Sequence, residues 1–247
     1  MGLLLLTATL PEQAAIVSRL ENSVCQRVTC RRVLNGSVEE RDVTVVETGM
    51  GAVNTAHALT RALQVRRPAY VLQVGVGGAY PDAGLGLGDL AVASEELYGD
   101  VGVRTNDGWR GAELIGIPLV QREKAYYNSF PVDGNLVQRG QELLAAVAWK
   151  TGRAPTVKVG PFVTVQECSG TTSLAAERAA LAGGAVCENM EGAAAAHVCL
   201  LYDVPFVEIR GISNLVEDRR VDEWDLPGAA AVAQEAAINL LKGLGDG

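Results

Sequence analysis

Short apolar runs alternate with segments of helical periodicity along this chain, and this alternation constrains the fold more than any other feature of the sequence. Such runs are typical of strands buried on both faces of a parallel sheet. The predicted strands cover residues 3–8, 25–34, 43–48, 70–74, 88–96, 156–166, 185–187 and 205–212. The predicted helices cover residues 9–20, 52–65, 135–151, 174–181, 191–202 and 229–244. The pattern predicts an α/β fold in which a central mixed, largely parallel sheet is flanked by helices.

Two regions add detail to this pattern. Asn35-Gly36 is a strong hairpin-turn signal, and the basic cluster from Arg27 to Arg32 alternates with Val28 and Cys30, which predicts the polar face of a strand. Residues 99–134 are polar, aromatic and irregular, so we expect a long loop region there. Because no repeat, low-complexity tract or linker interrupts the chain, we expect one domain over residues 1–247.

Charge and cysteine content argue against several classes of protein. The formal charge of −8 disfavours binding to nucleic acid, which requires clustered lysine and arginine. Five cysteines without CxxC spacing favour a reducing, cytoplasmic compartment. The sequence has no Cys/His set with zinc spacing, so we expect no metal site. No apolar run reaches the roughly 18–20 residues that a membrane span needs, and the run at 3–6 lacks the basic flank of a signal peptide.

The glycine-rich segment Gly75-Val76-Gly77-Gly78 follows a predicted strand but does not fit a dinucleotide-binding loop. Tyr80 stands where such a loop would place its next glycine. The glycines instead allow the backbone to approach a ligand or another strand closely. Since a serine-hydrolase GxSxG motif is also missing, we expect neither a nicotinamide or flavin cofactor nor a serine nucleophile.

Polar residues collect at the ends of the last two predicted strands, which is where ligands bind in open α/β sheets. Glu191 stands where a strand meets a helix, and it either binds a ligand or compensates the helix dipole. Glu208 and Arg210 share one face of the following strand, so their buried charges need partners. Asn214 ends that strand, either as a ligand-binding amide or as a turn residue.

Three segments, in this order, resemble the purine nucleoside phosphorylase and nucleosidase superfamily. Residues 48–54, TGMGAVN, resemble its TGxGxxN segment, and residues 188–193, ENMEGA, resemble its EMEA-type segment. Residues 204–214, VPFVEIRGISN, resemble its VPF…R(A/G)IS(D/N) segment. The resemblance covers nearly the whole chain and implies a nucleoside phosphorylase-like fold. Among the members, the chain most resembles the futalosine hydrolases, followed by the methylthioadenosine/S-adenosylhomocysteine nucleosidases.

The resemblance implies a small-molecule purine nucleoside as substrate, cleaved at its N-glycosidic bond. It implies that Glu12 deprotonates the attacking water, that Glu191 binds the ribose hydroxyls and that Asn214 holds the leaving base. The other residues implied to contact the substrate are Met50, Gly77, Val165, Gln166, Cys168, Asn189, Met190 and Ser213. Arg104 and Lys124 are candidate partners for a carboxylate on the 5′ substituent. Because relatives usually pair, we also expect a homo-oligomer.

Two departures from the family pattern distinguish the possible substrates. Phosphorylases carry an arginine in the first loop and another at the glycine-rich strand end, but this chain has Glu12 and Gln73 there, which favours water over phosphate. Adenine-specific nucleosidases carry Asp at the position of Asn214 and tend to have Glu at that of Asn189. A neutral amide can donate to the acceptors N7 and O6 of hypoxanthine, the base of futalosine. A methylthioadenosine or aminodeoxyfutalosine nucleosidase, a phosphorylase and a non-catalytic nucleoside-binding protein remain the alternatives.

Overall fold

The computed structural model describes residues 2–28, 30–38, 40–150 and 152–244. The strands of this part of the chain are β1 (Leu3–Thr7), β2 (Glu21–Val28), β3 (Arg31–Val38), β4 (Arg41–Glu47), β5 (Val71–Ala79), β6 (Leu90–Tyr98), β7 (Gly102–Thr105), β8 (Gly108–Gly111), β9 (Val120–Gln121), β10 (Ala125–Tyr126), β11 (Ser129–Pro131), β12 (Val157–Thr164), β13 (Cys187–Asn189) and β14 (Phe206–Leu215). The α-helices are α1 (Ala14–Val17), α2 (Ala52–Val65), α3 (Gly134–Ala145), α4 (Thr172–Leu181), α5 (Gly192–Tyr202) and α6 (Leu226–Gly243). Short 3₁₀ turns include Leu10–Glu12.

The main sheet is mixed, with parallel pairs at its centre. β1 lies between β4 and β5 and runs parallel to both, and β14 runs parallel to β5. β12 runs parallel to β6 and to β13. Antiparallel pairing joins β2, β3 and β4 at one edge and β11 to β6 at the other, and it also links β13 to β5 and β14 to β6. This arrangement confirms the predicted mixed sheet.

Helices cover both faces of the sheet because side chains of the central strands alternate between two apolar cores. Leu3 and Leu5 of β1 pack into a core that includes residues of α6. Leu4 and Leu6 point the opposite way, into a core shared with α2 and α5. A strand that buries every side chain in this way has no polar face, which is why its sequence is a continuous apolar run. The predicted layers of an α/β domain are therefore confirmed.

The antiparallel edge differs from the prediction. Asn35 and Gly36 do not form a turn but lie within β3, where they pair with Thr44 and Val43 of β4. A Cβ at Gly36 would lie 2.8 Å from the carbonyl oxygen of Glu21, so the glycine permits close approach of the neighbouring strand. Cross-strand pairing therefore overrides the local turn preference of the dipeptide.

The basic cluster also divides differently. Arg27 belongs to β2 and Arg32 to β3, and the two residues face each other across an antiparallel pair. The cluster is thus not the polar face of a single strand. The intervening Thr29 lies outside the described residues, as do Met1, Glu39, Thr151 and residues 245–247. The helix predicted at 135–151 ends at Ala145, so its end was placed too far along the chain, and only its last position lies outside the described residues.

Other predicted boundaries shift in ways that affect the site. The glycine-rich segment does not leave the sheet, because β5 continues through it to Ala79. Residues 99–134 hold five short strands, β7 to β11, rather than an uninterrupted loop. The first predicted helix consists of the 3₁₀ turn Leu10–Glu12 followed by the short α1. In the described part of the chain, no helix combines the length and apolar character that crossing a membrane requires.

Candidate active site

A buried arginine stands at the centre of a charged cluster where the parallel strands end. Arg210 of β14 donates from Nε to Glu208 Oε1 at 2.7 Å and from Nη1 to Glu191 Oε2 at 3.0 Å. Its Nη1 also donates to the carbonyl of Val76, and its Nη2 to Asn189 Oδ1 at 3.3 Å. Burial disfavours the charge, but Glu208 and Glu191 outweigh it and raise the pKa of Arg210 above its ordinary value. The guanidinium is therefore a fixed positive charge.

Glu191 joins this arginine to the loop that follows β4. Its Oε1 accepts from the backbone N–H of Gly51 at 2.9 Å, and its Oε2 accepts from Arg210. Gly51 has a φ of +93°, a region that strongly favours glycine, and this conformation directs its N–H toward the carboxylate. Each carboxylate oxygen has two acceptor positions. Because each accepts one hydrogen bond from the described residues, both keep an acceptor position for a bound hydroxyl.

Glu12 reaches the same point from the first loop. Its Oε2 accepts from the N–H and the hydroxyl of Thr9, at 2.8 and 2.7 Å, while its Oε1 accepts from the N–H of Val76 at 3.0 Å. A Cβ at Gly75 would lie 2.7 Å from Glu12 Oε1 and 2.8 Å from Arg210 Nη1. Only glycine leaves room for both charged groups at this strand position. Glu12, Glu191, Glu208, Glu96 and Arg210 are called the Arg210 cluster below.

Asn214 lies at the end of β14 with its amide orientation fixed by neighbours. The hydroxyl of Ser213 donates to Asn214 Oδ1 at 2.8 Å, and Asn214 Nδ2 donates to the carbonyl of Leu215 at 3.0 Å. A Cβ at Gly78 would lie 2.9 Å from Nδ2, so glycine makes space for the amide. Since the amide nitrogen carries two hydrogens, one N–H remains for a ligand.

Other predicted contact residues lie together beside Glu191. Gln166 accepts from the N–H of Ala52 at 2.9 Å through Oε1 and donates to the carbonyl of Met190 at 3.2 Å. Cys168 Sγ lies 3.6 Å from Met190 Sδ. Met50 is 62% exposed next to Gly51, so its thioether is free to form one wall of a pocket.

Three predicted contact residues are engaged within the protein instead. The side chain of Val165 is fully buried in an apolar cluster. Asn189 accepts from the N–H groups of Glu191 and Gly192 and donates to Glu96, so its amide holds the start of α5 in place. Gly77 is buried, and its carbonyl oxygen lies 3.2 Å from the Ser213 hydroxyl oxygen. Their side chains or backbone groups thus have partners within the protein, and their contact with a substrate stays a prediction.

A second buried arginine lies behind the segment that contains Cys168. Glu188 accepts from the N–H of Ser169 at 2.9 Å, from its hydroxyl at 2.5 Å and from the hydroxyl of Tyr80 at 3.1 Å. Arg178 Nη1 donates to Ser169 Oγ at 2.9 Å and lies 3.7 Å from Glu188 Oε2. Burial and the adjacent Glu188 both raise the pKa of the Tyr80 hydroxyl, which therefore stays a donor. Tyr80, Ser169, Arg178 and Glu188 are called the Arg178 cluster.

Comparison with known proteins assigns these features to a family. The family described as the phosphorylase superfamily matches residues 3–244. The chain belongs to the phosphorylase superfamily. Futalosine hydrolase of Thermus thermophilus is 34% identical over 200 residues, which cover 79% of this chain and 80% of that protein. A 5′-methylthioadenosine/S-adenosylhomocysteine nucleosidase of Shewanella sediminis is 29% identical over 213 residues, covering 86% of each chain. The chain is thus an enzyme of the phosphorylase superfamily, and these relatives are hydrolases.

Solved structures of this superfamily have the same fold. The 5′-methylthioadenosine/S-adenosylhomocysteine nucleosidase of Neisseria meningitidis, in complex with methylthio-immucillin-A, superposes with a TM-score of 0.84 at 21% identity over 98% of both chains. The corresponding enzyme of Colwellia psychrerythraea, in complex with adenine, gives a TM-score of 0.84 at 24% identity over 99% of this chain and 96% of that one. These likenesses confirm the predicted nucleoside phosphorylase-like fold.

Several residues of this phosphorylase superfamily site have no role in the prediction from sequence. Glu96 of β6, Tyr80 and Arg178 were missed. Glu188 was noted only as part of the segment at 188–193, and Glu208 and Arg210 were only expected to need partners. Arg219, whose guanidinium lies 4.6 Å from the ring centre of Trp224, was also missed, although it lies beside Cys168 and partly offsets the rise that burial causes in the pKa of that thiol. Charged residues within apolar strands were the available signal for Glu96 and Glu208.

Arg104 and Lys124, the predicted partners of a substrate carboxylate, have other partners in the structure. Arg104 forms an exposed ion pair with Glu177 at 2.8 Å, and the ammonium of Lys124 lies 4.8 Å from the ring centre of Tyr126. Neither Arg104 nor Lys124 belongs to the Arg210 cluster or to the Arg178 cluster. Among the described residues, no three His, Cys, Asp or Glu side chains are grouped to hold a metal ion.

Proposed function

We propose that this enzyme hydrolyses the N-glycosidic bond of a 6-oxopurine nucleoside, namely futalosine, and releases hypoxanthine and dehypoxanthinyl futalosine. The observation that carries the proposal is the convergence of Glu12 and Glu191 on Arg210, with the neutral amide of Asn214 at the end of the same strand. Cleavage between the sugar and the base forms an oxocarbenium-like sugar and a purine anion, and catalysis must stabilise both. The arrangement supplies the carboxylate of Glu191 for the sugar cation and the amide donor of Asn214 for the purine anion.

Glu191 acts on the sugar. The acceptor positions left on its two oxygens suit the 2′- and 3′-hydroxyls of ribose, and its charge then lies close to the developing cation. The bonds from Gly51 and Arg210 hold the carboxylate so that it need not reorganise as the reaction proceeds. Met190 packs below the ribose, and Met50 forms the wall of the pocket for the 5′ substituent.

Glu12 acts on water. Thr9 occupies its Oε2, whereas Oε1 accepts only from Val76 among the described residues and faces Arg210. This oxygen can therefore accept a proton from a water molecule that approaches the sugar. A phosphate dianion in the same place would meet the carboxylate of Glu12 and would lose the cationic partners that phosphate needs. Water is the co-substrate that this charge pattern favours.

Asn214 acts on the base. Ser213 donates to its Oδ1, which leaves an N–H of Nδ2 for N7 or O6 of hypoxanthine. An adenine nucleoside presents a 6-amino donor in place of O6, so an amide N–H aimed there would face another donor. For the carboxylate of the 5′ substituent, Arg219 is the cation placed beside the contact residue Cys168, whereas Arg104 is already paired with Glu177. A place in menaquinone biosynthesis follows from this substrate.

A methylthioadenosine/S-adenosylhomocysteine nucleosidase is the second candidate, because the Shewanella relative covers 86% of this chain, whereas the Thermus relative covers 79%. Release of free purine from futalosine, inosine and methylthioadenosine, each with and without phosphate, separates the possibilities. We expect hypoxanthine from futalosine, at a rate that phosphate does not change. Faster cleavage of methylthioadenosine would favour the second candidate, phosphate-dependent release would indicate a phosphorylase, and binding without release would indicate a binding protein. Glu12→Gln should slow this release if Glu12 is the general base. Glu142→Gln, on the exposed face of α3, is the matched control.

A further inference from the structure

The Arg210 cluster buries more negative charge than its one arginine can balance. Four glutamates surround the guanidinium, and all are nearly or fully inaccessible to solvent: Glu12, Glu96, Glu191 and Glu208. Burying an uncompensated carboxylate is costly, and such a group is usually neutralised by a proton. The structure should therefore reveal which of the four carboxyl groups holds one.

Hydrogen-bond partners distinguish the four carboxyl groups. Both oxygens of Glu12 and both of Glu191 accept from donors described above. Glu96 also accepts twice, through Oε1 from Asn189 Nδ2 and through Oε2 from Thr164 Oγ1, each at 2.7 Å. Glu208 is different, because Oε1 accepts from Arg210 while Oε2 is buried without a donor among the described residues. A buried acceptor left in this state needs an explanation.

Glu208 Oε2 faces another carboxylate oxygen. A Cβ built on Gly192 would overlap both Glu208 Oε2 and Glu96 Oε1, so the two oxygens converge on the space that this glycine leaves open. Two carboxylates at such proximity repel each other unless a proton lies between them. One proton would supply the missing donor and would reduce the charge of the pair to that of a single carboxylate.

We propose that Glu96 and Glu208 share one proton and that this hydrogen-bonded pair is the positioning element for Arg210. Held by the pair, Glu208 presents Oε1 to Arg210 Nε, and the guanidinium then aligns with Glu191 on one side and with Glu12 on the other. The pair touches no substrate. This inference rests on the proposed function for its kinetic consequences, but the protonation state itself can be measured without substrate.

The surroundings of the pair agree with a stored proton. Burial first, and the neighbouring Glu208 second, raise the pKa of Glu96 well above its ordinary value. The titratable groups that face the pair are Arg210 of β14, Glu191 at the start of α5, Cys187 of β13 and Tyr98 of β6. Burial raises the pKa of both the Cys187 thiol and the Tyr98 hydroxyl, so both stay neutral. Arg210 is the only cation among these four groups.

The raised pKa of Glu96 also determines how the stability of the fold changes with pH. A carboxyl group whose pKa is higher in the folded than in the unfolded state binds more protons when folded. Its contribution to stability is complete below the unfolded pKa and is lost as the pH rises through the folded pKa. Alkaline conditions should therefore remove the shared proton, weaken the position of Arg210 and lower turnover together.

Infrared spectroscopy of the full chain without substrate tests the proton directly. We expect the carbonyl stretch of a protonated carboxylic acid at neutral pH, shifted by isotope-labelled glutamate and absent from both Glu208→Gln and Glu96→Gln. Gln73→Met is the control, because Gln73 lies beside Glu208 in the β5–β14 register and its buried amide has no partner among the described residues. The band should persist in that variant. Absence of the band from the wild-type chain, or its loss in Gln73→Met, overturns the proposal.

Kinetics test the positioning role. Glu208→Gln keeps an acceptor for Arg210 Nε and can donate from its amide to Glu96, so it reproduces the bonds and charge of the protonated pair. We expect kcat within ~threefold of the wild type, whereas Glu208→Leu, which removes the acceptor, should lower kcat by roughly 10- to 100-fold. The alkaline fall in kcat that we expect for the wild type should move to higher pH in Glu208→Gln, measured with the same substrate. Equal damage by Gln and Leu, or an unmoved alkaline limb, contradicts the role even where hydrolysis itself is confirmed.

Discussion

The Arg210 and Arg178 clusters each bury one arginine among polar side chains near the ends of β-strands, but they satisfy their charges to different extents. In the Arg178 cluster a single carboxylate, Glu188, accepts three hydrogen bonds and lies 3.7 Å from its arginine. In the Arg210 cluster four carboxyl groups share one guanidinium, and Glu12 and Glu191 keep acceptor positions open. The first arrangement fixes a segment of chain, and the second leaves charged groups ready to act on a ligand.

This difference separates stability from catalysis in a testable way. A saturated buried network stabilises the fold, so removing one member should lower stability more than turnover. An incompletely saturated site contributes to catalysis through the positions it leaves open, so removing one member should lower turnover more than stability. Isosteric Glu→Gln changes in the two clusters compare these effects with the least change of shape.

The largest effect is expected for Glu12→Gln. The amide keeps the size of the side chain but cannot take a proton from water, and general base catalysis typically contributes ~100- to 10,000-fold. Substrate binding should change little, so the loss should appear in kcat and not in KM. Steady-state hypoxanthine release from futalosine, with Glu142→Gln as the surface control, measures it. Turnover close to that of the wild type would remove Glu12 from the reaction.

Glu191→Gln should have the next largest effect. The substitution removes the negative charge that faces the cationic sugar, and loss of one such stabilising group typically costs ~100- to 1,000-fold in turnover. Arg210 also loses one of its anionic partners, but Glu208 still accepts from its Nε. Circular dichroism should show a folded chain. A folded variant with normal turnover would mean that Glu191 only holds Gly51 and Arg210 in place, and the contrast between the clusters would fail.

The Arg210 cluster also shows how far sequence alone could predict the site. Glu191 and Asn214 were predicted because each lies within a family-like segment near a strand end, and Glu12 because it follows the first strand. Asn189 was placed in the substrate pocket on the same basis, yet its amide turns inward to Glu96 and to the start of α5. Which way a side chain faces at such a junction depends on partners distant in sequence, and no local pattern encodes them.

The strands of the sheet also differ in how well the sequence predicts them. The central strands were predictable because burial on both faces leaves continuous apolar runs, as in β1 and β5. The edge strands β2 and β3 were misjudged because Asn35-Gly36 has a strong turn preference that cross-strand pairing with β4 overrides. Glu96 and Glu208 were the sequence signal for a buried polar network, but only the topology places β6 beside β14 and so brings the two carboxyl groups together.

Asn214→Asp should have an intermediate effect, confined to substrate preference. An ionised aspartate presents only acceptors to N7 and O6, and facing acceptors at a buried site cost roughly 10- to 100-fold in specificity. A protonated aspartate can donate, and a 6-aminopurine complements it. Competition between futalosine and its 6-amino analogue at two pH values measures the ratio of specificity constants. We expect futalosine to fall relative to the analogue, with the gap narrowing as the pH decreases.

An unchanged ratio in that competition would show that Asn214 does not contact the base. Ser213→Ala provides the companion variant, since the Ser213 hydroxyl donates to Asn214 Oδ1 and orients the amide. Its loss should weaken discrimination by less than Asn214→Asp, because the amide itself is retained. A larger loss from Ser213→Ala than from Asn214→Asp would mean that Ser213, not Asn214, selects the base.

The smallest effect on turnover is expected for Glu188→Gln in the Arg178 cluster. The hydroxyls of Tyr80 and Ser169 can rotate to accept from the new amide, but Arg178 loses its buried counter-charge. We expect the free energy of unfolding to fall by about 1.5–3 kcal/mol, the usual range for a hydrogen bond to a charged group, and kcat to change by less than ~tenfold. Urea unfolding gives the free energy of unfolding, and hypoxanthine release by the same preparation gives kcat.

Glu191→Gln should show the opposite pattern, with a large loss of turnover and a small loss of stability. If Glu188→Gln instead abolished turnover at unchanged stability, Glu188 would have to contact the substrate, and the division of the two clusters into a supporting and a reacting one would be wrong.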